Sequence, residues 1–241
     1  MGLLLLAAAG FVRLGIWQLS RLRERRATNL VTVAARAAPP MALAPGSLRT
    51  DTLGEHRVIA HGRYDHTREI ILRGEALAGV PGVRVVTPLL LADGGPAVLV
   101  DRGFLPAPDA VSADLKGTQE SGEKTVGGIA LPVGTGPGAP VEHAGLMTWR
   151  RLDLAELRRR LPYPVLPIYI QQSPDSSLPP FPRRLEPAPV DEGPHLSYAI
   201  QWFLFAGMAA AFAFLVVGRE RAIGRSGDRA IGRSGDRTIG R

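Results

Sequence analysis

The residue with the clearest chemical potential in this 241-residue chain is His195. It stands just before an uncharged apolar run. If that run is helical, His195, Tyr198 or Ala199, and Trp202 share one face by i, i+3/i+4, i+7 spacing. An imidazole beside an aromatic face at lipid level suits an axial haem ligand. It suits an interfacial cap or a water-binding group equally well, and that plainer reading asks less of the chain. His56, His61 and His66 invite a metal site. On a strand, however, positions five apart face opposite sides, so His56 and His61 do not converge. His66 falls in a turn after Tyr64-Asp65, and His143 in a loop without a nearby partner. The chain has no Cys, which removes disulfides, zinc–thiolate sites, iron–sulfur clusters, covalent c-type haem and Cys nucleophiles together. It also lacks H-E-x-x-H, G-x-S-x-G and a dinucleotide G-x-G-x-x-G after a strand. Residues Gly117–Thr125 (GTQESGEKT) approach a phosphate loop, but Glu123 directly before Lys124 would repel a phosphate, and the stretch reads as a solvent loop. Asp and Glu are scattered, and spacing nominates no carboxylate pair.

Two apolar segments must position His195. Leu196–Val217 is 22 residues without a formal charge. At about 1.5 Å per residue this makes a helix of about 33 Å, enough to cross a hydrocarbon core of about 30 Å. Tyr198 and Trp202 lie near its start, where aromatics favour the membrane–water interface, and Gly218-Arg219-Glu220-Arg221 ends it. The first segment, Gly2–Leu19, is interrupted by Arg13. A mid-bilayer Arg costs about 2.5–3.5 kcal/mol on insertion scales, less if it snorkels. No Lys or Arg precedes Arg13, and cleavage after the Ala run would leave a very short apolar region, so an uncleaved span is favoured over a signal peptide. Two spans put Leu14–Arg21 and His195–Trp202 at the same membrane face, with Trp17 and Trp202 at similar depths. A site there would be half apolar and half wet, which fits a lipophilic ligand with a polar head.

The net charge of +7 is confined to the ends: +4 over residues 1–26, −1 over 27–218 and +4 over 219–241. A nucleic-acid-binding domain would carry its excess on the folded body, whereas charge beside apolar segments points to membrane flanks. The Arg-rich tail favours cytoplasmic termini and an exported middle, while Arg21, Arg23, Arg25 and Arg26 pull the other way. The tail repeats AIGRSGDR at 222–229 and 230–237, a composition read as disordered and as an anchor on an anionic leaflet.

The middle reads mostly as strands: Arg57–Tyr64, Glu69–Arg73, Val83–Leu91, Ala97–Arg102, Thr125–Leu131 and Val165–Gln171. Asp93-Gly94-Gly95 marks a hairpin connection. Residues 152–157 have helical spacing, with Asp153 suited to capping and Pro162 and Pro164 beyond. The Gly- or Pro-rich stretches Gly134–Pro140 and Ser173–Pro189 read as loops. The expected architecture is a membrane protein in which two transmembrane helices bracket a mainly antiparallel β domain, sandwich or partly open barrel, with few helices. Its parts are a first span over 1–20, a juxtamembrane helix over 21–38, an exported β-rich domain over 39–194, a second span over 195–217 and a disordered tail over 218–241.

Leu14-Gly15-Ile16-Trp17-Gln18-Leu19 followed by Arg21 resembles the entry motif of the Surfeit-locus cytochrome c oxidase assembly family. Gly62-Arg63-Tyr64-Asp65, Val86-Thr87-Pro88-Leu89, Asp93-Gly94, and the run Val98 to Pro106 (VLVDRGFLP) resemble further motifs of that family. Trp149, Leu152-Asp153-Leu154, Pro167-Ile168-Tyr169-Ile170, and the run His195 to Phe203 (HLSYAIQWF) follow in the family's order. The resemblance covers residues of about 12–217. It implies a non-enzymatic role in assisting delivery of haem a to the catalytic subunit of a haem–copper oxidase. It also implies contact with the haem a synthesis machinery and the lipid bilayer, and none with nucleic acid. The resemblance places the central domain on the periplasmic side, or the intermembrane-space side in mitochondria, and the expected location here is a bacterial plasma (inner) membrane with that domain on the periplasmic or extracytoplasmic side. The His of the second-span motif, here His195, would be the haem iron ligand, with Tyr198, Trp202 and Trp17 around the cofactor. The 27 Arg against 2 Lys, with much Gly and Pro, fit a GC-rich bacterial genome. This chain departs from the family in having Gly193-Pro194 where relatives often place Asn before the His, in Arg13 with its short first span, and in the repeat tail. Two alternatives stand beside haem delivery: an assembly scaffold that binds no haem, and a membrane-tethered exported hydrolase or sensor.

Overall fold

The computed structural model describes residues 2–43, 50–92, 94–136, 139–143 and 146–235. It divides into two units, Met1–Leu30 with Asp191–Arg241, and Val31–Val190.

The second unit is built from nine strands: β1 (Met41–Ala42), β2 (Arg57–Tyr64), β3 (Ile70–Leu77), β4 (Val80–Leu91), β5 (Ala97–Pro106), β6 (Glu123–Pro132), β7 (Val141–His143), β8 (Leu146–Trp149) and β9 (Val165–Gln172). The strand order is β1-β2-β6-β9-β5-β4-β3-β8-β7, and a further pairing of β2 with β4 closes five of them into a barrel. The pairings are mainly antiparallel, with β1–β2, β3–β8 and β5–β9 parallel. β2 shows why this sequence makes a wall. Val58, Ala60, Gly62 and Tyr64 point inward while Arg57, His61 and Arg63 stay exposed, the two-residue period of a half-buried strand. Gly62 is needed at the seam, because a Cβ there would lie 2.1 Å from the Leu90 carbonyl oxygen of β4.

The barrel is filled by Val58, Leu89, Val98, Val100, Ile168 and Ile170 among others. A second cluster, including Leu72, Val86, Leu99, Trp149 and Leu157, packs on the other side. β5 serves both, so its residues are buried on both faces through Phe104. Each fully buried Val, Leu or Ile contributes about 1.5–3 kcal/mol. The second cluster is covered by a short helix, α2 (Leu154–Arg160), whose N-cap is Asp153. Its Oδ1 accepts from the Glu156 N–H at 2.9 Å, and Oδ2 accepts from the Gly136 N–H at 2.8 Å. Arg158, Arg159 and Arg160 lie in the last turn, where cations favour the exposed carbonyls.

The six expected strands are present as β2, β3, β4, β5, β6 and β9. β1, β7 and β8 were not anticipated, since two to four residues carry too little periodicity to read. His143 therefore ends a strand rather than lying in a loop. Asp93 of the expected hairpin connection lies outside the described residues.

The long helices are α1 (Gly2–Ala37) and α3 (His195–Gly235). Both are long and apolar enough to cross a membrane, α3 over His195–Arg219. α1 is one continuous helix through the expected juxtamembrane stretch and stops before Pro39-Pro40, because a residue preceding Pro is disfavoured in the α region. The backbone of α3 stays helical past Val217 as far as Gly235, where disorder was expected from 218. The repeat contains no Pro, and an isolated Gly costs a helix only about 1 kcal/mol. Residues 236–241 lie outside the described part.

Candidate functional site at the paired helix ends

Two places concentrate polar chemistry, one in each unit. In the barrel unit it is a buried cluster around Arg102 on β5, whose side chain is fully buried. Its guanidinium donates to Glu69 Oε1 at 3.0 Å, to Glu120 Oε1 at 2.8 Å and to the Thr118 carbonyl, and lies 5.1 Å from the centre of the Tyr64 ring. Arg184 approaches Glu120 from the other side at 2.5 Å and also donates to Gln172 Oε1 at 3.0 Å. Glu69 Oε1 further accepts from Thr87 Oγ1 at 3.0 Å. His66 closes the ring: its Nε2 lies 3.0 Å from the Glu120 backbone nitrogen and 3.1 Å from the Glu120 carbonyl oxygen, and its Nδ1 lies 2.9 Å from Glu69 Oε1. Burial alone would raise the Glu120 carboxyl, but the hydrogen bonds and charges of Arg102 and Arg184 hold it below the ordinary carboxylate value. Burial pushes the Tyr64 phenol upward.

Gly117–Thr125, expected as a solvent loop, is exposed at most positions but is pinned at Thr118 and Glu120, which are buried. Spacing nominates no carboxylate pair, and Glu69 and Glu120, which meet on Arg102, stand 51 positions apart in the chain. The available signal was Asp101-Arg102 inside an apolar strand, a charge that must find partners once both faces are covered. Asp101 itself pairs with Arg84 and accepts the Gly103 N–H at 3.1 Å. Among the described residues no group of three or more His, Cys, Asp and Glu could hold a metal ion. His61 bonds Thr125 Oγ1 at 2.9 Å and His56 lies beside the Gly54 carbonyl at 3.1 Å.

In the helix unit, α1 and α3 run antiparallel in a register set by side chains. His195 Nδ1 lies 2.9 Å from Gln18 Oε1, and Phe11 stacks on Trp202 with ring centres 5.7 Å apart and planes 21° from parallel. Phe205 packs against both of these rings. Phe203 lies against Gly15, where a Cβ would sit 2.7 Å from the ring. On α3, Ala199, Ala206 and Ala213 are buried at intervals of seven on the same face.

The chain before α3 is held just as specifically. Arg26 grips Glu192 through two bonds of 2.8 Å, and the Asp191 carbonyl accepts from Asn29 Nδ2 at 2.7 Å and Arg25 Nε at 3.3 Å. The hydrogen bond from Arg26 holds the Glu192 carboxyl below its ordinary value. Asp191 Oδ1 accepts the Gly193 N–H at 2.9 Å, shaping a turn with Gly193 at φ +66°. The Pro194 carbonyl then accepts from Tyr198 N–H at 3.1 Å and Ser197 Oγ at 2.8 Å, which starts α3. Pro194 thus opens the helix, where its missing donor is no loss.

Of the four candidate site residues, the structure brings His195 to α1 through Gln18 and sets Trp202 against Phe11. Tyr198 is exposed, and Trp17 is exposed beneath Arg21, whose guanidinium carbon is 5.7 Å from its ring. Trp17 and Trp202 are not at similar depths. With Gln18 opposite His195, antiparallel helices place Trp202 level with Phe11, six residues or about 9 Å from Trp17. Gln18 and Phe11 were missed as site residues. Both follow from counting in opposite directions along two helices once one contact is fixed.

Gln18 Oε1 only accepts, so Nδ1 of His195 carries a hydrogen, and in the neutral ring the lone pair lies on Nε2. A Cβ at Gly193 would stand 3.6 Å from that Nε2, so glycine leaves this approach to the nitrogen open. The arrangement fits a metal-ligating histidine, which characteristically donates its second ring N–H to an acceptor.

In chain order, two helices long and apolar enough to cross a membrane bracket a strand-built barrel, the architecture of a membrane protein with one folded domain between its spans. The SURF1 family matches residues 5–207, and the chain belongs to it, the oxidase assembly family its motifs resemble. It is 28% identical over 227 residues to a SURF1-like protein of Monosiga brevicollis, covering 89% of this chain and 85% of that one. It is 25% identical over 230 residues to Surfeit locus protein 1 of Takifugu rubripes, covering 88% of this chain and 93% of the relative. The human Surfeit locus protein 1 is 25% identical over 230 residues, covering 88% of this chain and 74% of its own.

Proposed function

We propose that this chain is a cytochrome c oxidase assembly factor that holds haem a at the membrane boundary and passes it to the catalytic subunit of a haem–copper oxidase. In this reading it works in a bacterial plasma membrane, receives its cargo from the haem a synthesis machinery, and keeps the barrel on the extracytoplasmic side. Its role is carriage rather than catalysis. The observation that supports the reading is the Gln18–His195 hydrogen bond, which engages Nδ1 and would leave Nε2 of the neutral ring for iron. Iron supplies the coordination bond when haem is bound. The protein's own residues do the rest: Gln18 orients the ring, the Arg26–Glu192 clasp fixes the turn before it, and the Phe11–Trp202 stack gives an apolar surface at lipid depth. A long isoprenoid tail would be at home beside that surface.

Full-length protein purified from cells that make haem a should carry haem by its absorption spectrum. His195→Ala should lose most of it. Gln18→Leu should weaken retention by about 10–100-fold while leaving the ligand in place. Equal haem occupancy in wild type and His195→Ala removes His195 as the ligand.

A further inference from the structure

Arg13 lies within the first span and is exposed. The α1 face turned toward α3 is marked by Phe11, Gly15 and Gln18. At about 100° per residue, Arg13 sits about 160° from both Phe11 and Gly15, on the opposite side of the helix. It cannot be paired inside the helix unit's apolar segments, because residues 2–19 and 195–217 contain no Asp or Glu. Among the described residues it has no hydrogen-bonded or ion-paired side chain.

Escape to water is difficult. Arg21, which pairs with Glu24 and covers Trp17, marks the polar side of the segment. Arg13 is eight residues from it, about 12 Å along the axis, and five residues, about 7.5 Å, from Gln18 at the half-wet helix end, a distance its side chain covers only when fully extended toward that side. The Cα–Cβ bond of a helical residue also tilts toward the N-terminus, away from that side. The surroundings suit another helix rather than lipid tails. Gly10 and Trp17 flank Arg13 on the same outward face, Trp17 is exposed, and nothing lies within 4 Å of the side-chain position at Gly10. A small residue there lets a second backbone approach closely.

We propose that the outward face of α1 around Arg13 is a docking surface for a transmembrane helix of a partner protein that carries an Asp or Glu at matching depth. The choice rests on charge: a cation on a lipid-facing helix surface recruits a carboxylate, and this chain has none there to offer. It adds to the proposed function a place where an integral oxidase subunit is recognised, and rests on that reading only for which protein brings the helix.

The test uses the tagged full-length chain in the membranes of its own host. Arg13→Leu should remain membrane-integrated and keep its haem, yet recover about tenfold less oxidase catalytic subunit than wild type, whereas Arg13→Lys should stay within about threefold. Recovery unchanged in Arg13→Leu overturns the inference. A photoactivatable residue at position 13 provides a readout independent of the oxidase. An adduct within one helical turn of an Asp or Glu in a transmembrane peptide supports the inference, and adducts to lipid alone, or to helices without a carboxylate, overturn it. Failure of wild type to recover any oxidase subunit, with a carboxylate-bearing adduct still formed, would count against the assembly reading while leaving this surface standing.

Discussion

The cluster around Arg102 and the helix end at His195 both hold a histidine, and they treat it oppositely. His66 is bonded at both ring nitrogens, to Glu69 and to Glu120, inside a network in which Arg102 and Arg184 share the Glu120 carboxylate. Among the described residues His195 is bonded at one nitrogen, by a neutral amide, with glycine beside the other. A cross-linked charge network of this kind holds structure, because its cations and carboxylates are committed to one another. A ring held through one nitrogen is oriented without being enclosed. The run Val98 to Pro106 therefore lies in the barrel's buried charge network, and the run at α3 in the pairing of the two helices.

The contrast breaks first at Arg102. Arg102→Met leaves Glu69 and Glu120 buried without their shared cation, and loss of one member of a buried charge network costs about 3–5 kcal/mol. The expected result is a large fall in denaturant midpoint or in steady-state abundance. Next is the barrel seam: Gly62→Ala forces a Cβ against the Leu90 carbonyl, and overpacking of this kind costs about 1–3 kcal/mol, read by the same denaturation. A pH series sharpens the electrostatic part. Because the folded Glu120 carboxyl lies below its unfolded value of about 4.3, its contribution is complete above that pH and is lost as pH falls through the folded value. Stability should decline below about pH 4.3, and less steeply in Glu120→Gln. The smallest effect is expected at His195. His195→Ala should change stability by less than about 0.5 kcal/mol while removing haem, since it gives up a single half-buried bond at a helix start. A comparable loss of stability there would erase the distinction between the two sites.

How much of this was legible depended on the distance over which each feature is encoded. The barrel strands are local patterns: β2 alternates residue by residue, and β4 and β9 carry β-branched runs between turns, so six strands and α2 with its Asp153 cap could be read directly. Closure into a barrel could not, because it depends on the β2–β4 seam at Gly62, a contact between backbones. The Glu69–Glu120 pair was hidden for the same reason. It exists only after β5 threads Arg102 between two segments far apart in the chain. At the helix end, the face that carries His195 and Trp202 follows from helical spacing, whereas the partners Gln18 and Phe11 require the antiparallel register.

The alanines at 199, 206 and 213 give that register a further meaning. A seam of methyl groups sets how near the two apolar rods stand, and hence whether the Gln18 amide reaches the imidazole at all. The bond that orients the ring would then be adjustable from a distance. A bulkier residue at Ala206, or a bilayer thick enough to change the tilt of the rods, would detune the ring's basicity without touching it.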